Sequence, residues 1–343
     1  MHSTLIRTLR EAFPLNQARL YFLAAFLIAL IQAETVNLVK VSQRFQSKKN
    51  ASSESNYKRI RRFISDFTFP HHLYLTFVLQ FFKDQPLLLT MDRTNWQFGK
   101  NHINFLVIAT VRDGIAFPLI WQLLPHAGNS HQTARIELIQ QLVEALPVSR
   151  IQGLLADREF IGEQWFSELR TLGIKRCIRI RDTDRVGGIP AWMWFKRTEA
   201  HVTYSLYRKM TVFGSKMQVV GARTPEGKRI LVASDFSARD TLKKYKKRWE
   251  IECFFSAVKE TGFRFEDTHL TRPERLSTLM TLVGIAFVWA YMVGEWEHQK
   301  KPIRVKRHGR KGQSVFRLGL GHLIRVLTQR RFYVPAIKIL SCT

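Results

Sequence analysis

The spacing of apolar positions divides the chain into a helical opening, a central alternation of strands and helices, and a helical close. Apolar residues recur at helical intervals through Leu15 to Ile31 and again through Thr35 to Phe45, so residues 1–80 are predicted to be helical. A polar linker, Ser47 to Ser55, leads into Tyr57 to Phe67, where Lys58, Arg59, Arg61 and Arg62 interleave with Ile60, Phe63 and Ile64. That is the pattern of a short basic amphipathic helix. From Gln85 the period shortens. Pro86 to Met91 reads as a strand ending at Asp92; Asn104 to Val111 and Ile115 to Leu124 read as two more, joined by the turn Arg112-Asp113-Gly114. A helix near Ser130 to Ala145, a strand from Ile151 to Ala156 ending at Asp157, a helix near Gly162 to Leu172 and a strand near Lys175 to Arg181 follow.

Residues 182–239 break this rhythm with Gly187-Gly188, short aromatic and β-branched runs, and turns at Gly214 and Pro225-Glu226-Gly227, as in a β-rich insertion. Helices resume near Asp240 and over 276–297. Leu276 to Val293 is about as long as a bilayer span. It is interrupted by Ser277, Thr278, Thr281 and Gly284 and follows the charged run Arg272, Glu274, Arg275, so a core helix is expected and no membrane partner. The order of elements describes a mixed α/β sheet covered by helices. The expected segments are 1–80, 81–181, 182–239, 240–299 and 300–343.

Charge changes this picture most. The chain carries 54 Lys and Arg against 27 Asp and Glu, a formal net charge of +27, and such an excess attracts polyanions, above all nucleic acid. From Lys300 onward there are 12 basic residues and no acidic one, and residues 1–80 hold 11 basic against 4 acidic, so both ends are candidate DNA-contacting regions. Cys177, Cys253 and Cys342 are too scattered for a disulfide framework or a zinc site, which fits a reducing cytoplasm.

Two acids stand out because each follows a buried strand: Asp92 after Leu88-Leu89-Thr90-Met91 and Asp157 after Gly153-Leu154-Leu155-Ala156. Ligands of open α/β sheets bind at the carboxyl ends of strands, so the two carboxylates are placed to converge; an Asp opening a turn gives the same local pattern. A third acid comes from the segment Tyr245 to Lys259. At about 100° per residue, Arg248, Glu252 and Lys259 fall at roughly 300°, 340° and 320° from Tyr245, one narrow stripe, whereas Glu250 falls at roughly 140° and faces elsewhere. A plain amphipathic helix pairing Arg248 with Glu252 would look alike. Carboxylates about 4 Å apart repel by roughly 4 kcal/mol at an effective dielectric near 20, so a cluster of three calls for cations. Hard oxygen donors without a His or Cys cluster suit a pair of Mg²⁺ ions, with Mn²⁺ as substitute. Such a pair promotes in-line displacement at phosphorus; Tyr245, Arg248 and Lys259 are then candidates for DNA phosphates.

The same residues resemble the DD(E) transposases of the bacterial insertion sequence four family. Tyr245, Arg248, Glu252 and Lys259 match the Tyr-x2-Arg-x3-Glu-x6-Lys signature at every position; Asp92-Arg93-Thr94 and Asp157-Arg158-Glu159-Phe160 resemble the blocks around the first two acids. The resemblance spans roughly residues 85 to 325. It implies a ribonuclease-H-like core interrupted by the β-strand insertion, an N-terminal DNA-binding domain, and Asp92, Asp157 and Glu252 as catalytic metal ligands. It further implies cut-and-paste chemistry: hydrolysis at each transposon end, then attack of the freed 3′-hydroxyl on target DNA. Double-stranded DNA, as terminal inverted repeats and as target, is the implied partner, with a homodimer in the synaptic complex. Trp192, Trp194, Tyr204 and Tyr207 are available to stack on an extruded base, and no motif selects one. A nuclease of the same core that cuts without joining, and a DNA-binding protein without chemistry, are the alternatives.

Overall fold

The structure is a computed structural model and describes residues 2–47, 51–83, 85–199, 202–307, 309–329 and 334–341. Parts of the expected linker and basic C-terminal region, and Cys342, lie outside the described residues. Along the chain come α1 (His2–Ala12), α2 (Gln17–Ala33), α3 (Leu38–Arg44), α4 (Ser53–Asp66) and α5 (His71–Leu79). Next are β1 (Leu87–Phe98), β2 (Asn101–Arg112), β3 (Ile115–Leu123), α6 (Gln132–Ala145), β4 (Ile151–Ala156), α7 (Glu163–Thr171) and β5 (Arg176–Ile180). The insertion holds β6 (Arg185–Val186), β7 (Ile189–Pro190), α8 (Ala191–Trp194), β8 (Thr203–Ser205), β9 (Met210–Val212), β10 (Ser215–Arg223) and β11 (Arg229–Ser234). The chain continues through α9 (Ala238–Lys246), α10 (Glu250–Ser256), α11 (Pro273–Lys300), α12 (Val315–Thr328) and α13 (Val334–Lys338).

These elements form two compact units, one of Met1–Lys83, Phe98–Asn101 and Phe254–Thr343, the other of Asp84–Gln97 and His102–Cys253. The first is helical. In α2 every residue from Phe22 to Ile31 is buried, and in α11 every residue from Thr278 to Tyr291. A helix apolar all round must be covered on all sides, so the N-terminal helices do not stand alone: α2 packs on α11 and α12, while α4 and α5 pack on α11. Each Leu, Ile or Phe buried this way contributes about 1.5–3 kcal/mol. Pro273–Lys300 is long and apolar enough to cross a membrane, yet 89% of its apolar window is buried inside the protein.

The polar residues that interrupt its sequence have local reasons. Thr278 donates to the Phe67 carbonyl at 3.3 Å, and Thr281 to the Ser277 carbonyl at 3.1 Å. A Cβ at Gly284 would lie 2.5 Å from the Tyr74 hydroxyl, so glycine admits that buried ring. At Gly294 and Gly319 the backbones of α11 and α12 meet directly, and a methyl on Gly319 would overlap the Ala290 carbonyl and the Gly294 backbone. The basic C-terminal region is thus more than a tail: α12 buries Val315, Phe316, Leu320 and Leu323. On α4, by contrast, Ile60 and Ile64 are buried while Lys58, Arg59, Arg61 and Arg62 are exposed, as the sequence pattern predicts.

The second unit is built on a nine-stranded sheet in the order β3-β2-β1-β4-β5-β11-β10-β8, with β9 beside β10. β1 pairs parallel with β4 and β4 parallel with β5; β2 and β3 form an antiparallel hairpin at one edge. This is the mixed sheet of a ribonuclease-H-like core. The insertion strands prolong that sheet, since β11 pairs antiparallel with β5 and β10 with β11. β4 is buried at Leu154, Leu155 and Ala156, the near-continuous apolar run of a strand covered on both faces. Over one face, Leu242 and Tyr245 of α9 pack against a cluster of Leu88, Leu155, Cys177 and Val232.

One buried ion pair locks the junction between core and insertion. Arg176, 3% exposed, donates Nε and Nη2 to the Asp235 carboxylate at 2.7 and 2.9 Å. Its Nη1 reaches the Phe166 carbonyl and the Ser215 hydroxyl, both at 2.8 Å.

Candidate active site

The parallel register of β1 and β4 pairs Met91 with Ala156, so Asp92 and Asp157 are the next residues on neighbouring strands, which in sheets run about 4.8 Å apart. One expectation is corrected here. Asp92 does not follow the end of β1, which runs on to Phe98. What ends at Met91 is its ladder with β4; β1 continues as the neighbour of β2. Both aspartates therefore sit where the parallel core opens. In each, Oδ1 accepts the next residue's backbone N–H at 2.8 Å, from Arg93 and Arg158 respectively.

The third acid is held by the helical stretch over the sheet. Arg248 joins it to the first: Nη1 donates to Asp92 Oδ2 at 3.0 Å and Nη2 to Glu252 Oε1 at 2.6 Å. Tyr245 donates its hydroxyl to Asp157 Oδ1 at 3.3 Å, and Arg179 of β5 lies 3.6 Å from the same oxygen. Tyr245 thus belongs with Asp157, and Arg248 and Glu252 with Asp92, in two hydrogen-bonded groups at the adjacent strands. Lys259 belongs to the helical unit, where its Nζ pairs with Glu266 at 2.5 Å.

The stripe at a uniform 100° per residue fails beyond Ser256, because the stretch is not one α-helix. α9 gives way to a 3₁₀ turn at Lys247–Trp249, α10 follows, and Ala257–Thr261 is a π-helical turn. A π-turn closes i→i+5 and advances less per residue than an α-helix, so Lys259 is not carried to the same angle. Glu250 does face elsewhere: its carboxyl accepts backbone N–H groups of Gly114 and Arg112 at the β2–β3 turn, and burial pushes its pKa up to about 7.

Electrostatics follow from burial. The Asp92 side chain is 18% exposed, and burial pushes its carboxyl up to about 6; Arg248 and the Arg93 N–H pull it down, and Glu252 and Glu159 push it up again. One arginine shared between two acids does not offset that desolvation, so the ionised form of Asp92 is the disfavoured one and a cation bound there would favour it. The Tyr245 hydroxyl is raised above its ordinary range by burial, then by the Asp157 carboxylate, so it stays protonated as a donor. Carboxylate oxygens without a His or Cys beside them fit a hard divalent cation. Among the described residues no three His, Cys, Asp or Glu stand close enough to hold a metal ion; the Arg248 guanidinium lies between Asp92 and Glu252, bonded to both.

A second network braces the aspartates from outside. Arg93 donates Nε to Glu159 Oε1 at 2.5 Å and Nη2 to Oε2 at 3.1 Å. Its Nη1 reaches Asn104 Oδ1 at 3.0 Å and its Nη2 Asn129 Oδ1 at 3.3 Å. The residue after the first acid is thereby forked to the residue two past the second. Arg93 and Glu159 stand in the quoted sequence blocks, but their pairing was not legible there, nor was Arg179, whose closeness to Asp157 depends on the Ala156–Ile178 register.

No curated protein matches the chain. Among solved structures, it is similar to a cryo-EM structure of piggyBac transposase in a synaptic complex with hairpin DNA, with a TM-score of 0.50 and 13% identity over 96% of this chain and 77% of that one. A likeness at that identity speaks for the fold. A family model described as transposase DDE domain matches residues 76–289, well over half the chain and inclusive of Asp92, Asp157 and Glu252, and the protein belongs to that family.

Proposed function

We propose that the protein carries out metal-dependent cut-and-paste DNA transposition, and that within the DDE transposases it belongs to the Tyr-Arg-Glu-Lys subgroup of the insertion sequence four family. The observation that carries this reading is the register of Asp92 and Asp157 on adjacent parallel strands, with Arg248 tying Asp92 to Glu252. Asp92, Asp157 and Glu252 are the groups that would hold two Mg²⁺ ions, with Mn²⁺ as substitute. Bound there, the ions supply activation of the attacking oxygen and stabilisation of the leaving one at phosphorus.

The remaining roles fall to the chain itself. Tyr245 orients Asp157 by donating to it. Arg248 stays charged: burial works against its charge, and the carboxylates around it, Asp92, Glu252 and Asp157, favour it. Its planar fork matches two phosphate oxygens. Lys259 is assigned to phosphate as a point charge. In the first step water attacks the phosphodiester at each transposon end, leaving a 3′-hydroxyl and a 5′-phosphate; in the second that hydroxyl attacks target DNA and displaces a new 3′-hydroxyl. Residues 1–80 and 300–343 supply further DNA contacts, two copies act in synapsis, and the reaction takes place in the bacterial cytoplasm on nucleoid DNA.

The test is incubation of purified protein with Mg²⁺ and DNA carrying the sequences that flank its own gene. Cleaved and joined products are expected; Asp92→Ala removes both while retaining end binding. Full cleavage by Asp92→Ala would remove the catalytic assignment. Cleavage without joining from pre-cut ends would make the protein a nuclease of the same core.

A further inference from the structure

Beside Asp157 the sheet unit opens into a cleft of about 930 Å³ lined by Arg158, Arg179, Arg181, Lys228 and Arg229, with Asp182 as its acidic lining residue. Strand register brings these cations together. Ala156 pairs with Ile178 and Ile180 with Leu231, so the residues that leave β4, leave β5 and enter β11 reach the same end of the sheet. Lys228 is held there by a tight turn in which Thr224 N–H donates to its carbonyl at 2.9 Å.

Two of the five cations are engaged. Arg229 donates Nη2 and Nε to Asp182 Oδ2 at 2.7 and 3.0 Å, and Arg179 faces Asp157 at 3.6 Å. Arg158, Arg181 and Lys228 are exposed, and among the described residues none of them has a carboxylate within ion-pair distance. Cations on an open convex surface are dispersed by solvent; gathered in one concavity they repel one another and focus positive potential into it. Such a site is complementary to a polyanion: Arg158 and Arg181 carry the guanidinium fork that pairs with phosphate oxygens and Lys228 a point charge, while Arg179 and Arg229 engage Asp157 and Asp182.

We propose that this cleft binds successive backbone phosphates of the DNA strand that passes Asp157, a contact surface distinct from Tyr245, Arg248 and Lys259. The proposal rests on the transposase reading above, and its test is separable from that reading. It uses the full-length protein in chelator and a short mixed-sequence duplex DNA, with the dissociation constant measured over a series of salt concentrations. Each phosphate contact contributes roughly 0.9 to the slope of log affinity against log salt, so the triple variant R158Q/R181Q/K228Q is expected to lower the slope by roughly 2.7 on that scale. R170Q/K209Q/K216Q, which removes the same charge from exposed positions outside the cleft, is expected to lower it by less than about one such contact. An unchanged slope in the first variant, or an equal loss in the second, overturns the cleft. Should the triple variant fail to fold, R181Q alone is expected to remove about one contact, and no change there overturns the proposal equally. Asp92→Ala keeps the wild-type slope in either case, so loss of the catalytic assignment and loss of the cleft register in different measurements.

Discussion

At the scale of single residues the site is a balance between burial and charge. Asp92 has Arg248 at 3.0 Å, yet its carboxyl lies near 6 because burial outweighs that attraction. An acid raised in this way binds its proton more tightly folded than unfolded. In metal-free protein it therefore contributes stability at low pH that is lost as pH climbs from about 4 to about 6, with no further change above. Thermal melts in chelator should show this decline, and Asp92→Asn should flatten it; a variant with the same pH profile as wild type would show that another group titrates. The structure points to Glu159 as a positioning residue, because it holds Arg93 and so the spacing of the two aspartates. Outer-shell partners of this kind are worth about 10- to 100-fold in metal affinity or activity. Glu159→Gln should raise the Mg²⁺ concentration needed for half-maximal cleavage while Arg93→Lys, which keeps the charge, retains part of it. A lowered melting temperature with an unaltered Mg²⁺ requirement would reduce Glu159 to a structural role.

At the scale of elements, the insertion is part of the core's sheet. Pairing of β11 with β5 adds strands on the side of β5 away from β4, and Arg176 fastens β5 and β10 with the loop after β11 and with α7 through Asp235, Ser215 and Phe166. Removing one partner of a buried ion pair leaves an uncompensated charge, at a cost of about 3–5 kcal/mol. Asp235→Ala should destabilise by that amount in urea unfolding followed by fluorescence, whereas Lys216→Gln on exposed β10 surface should fall within about 0.5 kcal/mol. A small effect of Asp235→Ala would mean that strand pairing alone holds the insertion. The helical stretch over the sheet carries the other element-scale lesson. Its change from α to 3₁₀ to α to π leaves Tyr245, Arg248 and Glu252 together over the strand ends, and puts Lys259 with Glu266.

At the scale of the molecule, carboxylates that a bound cation would hold ionised make folding stability depend on cations. A ligand that binds only the folded state adds about 2.7 kcal/mol at one hundred times its dissociation constant. Saturating Mg²⁺ should accordingly raise the melting temperature of the wild type, and the increment should vanish in Asp92→Asn. Equal increments in both would place the bound ion elsewhere. The net charge of +27 acts on the same scale but oppositely, favouring polyanions and steep salt dependence of DNA affinity.

What the amino-acid sequence determined was local. Runs of buried-strand residues before Asp92 and Asp157, the helical spacing of Arg248 and Glu252, the basic face of α4 and the core character of α11 depend on neighbours two to four positions away, and periodicity reports such neighbours directly. The tertiary structure decided everything set between distant segments. The register that puts Asp92 beside Asp157, the Arg93–Glu159 fork, the reach of Arg248 to Asp92 and the packing of α2 against α11 join residues separated by tens to hundreds of positions. No local propensity encodes those pairings, because they arise only when buried apolar surface and hydrogen-bond satisfaction are met for the whole chain at once.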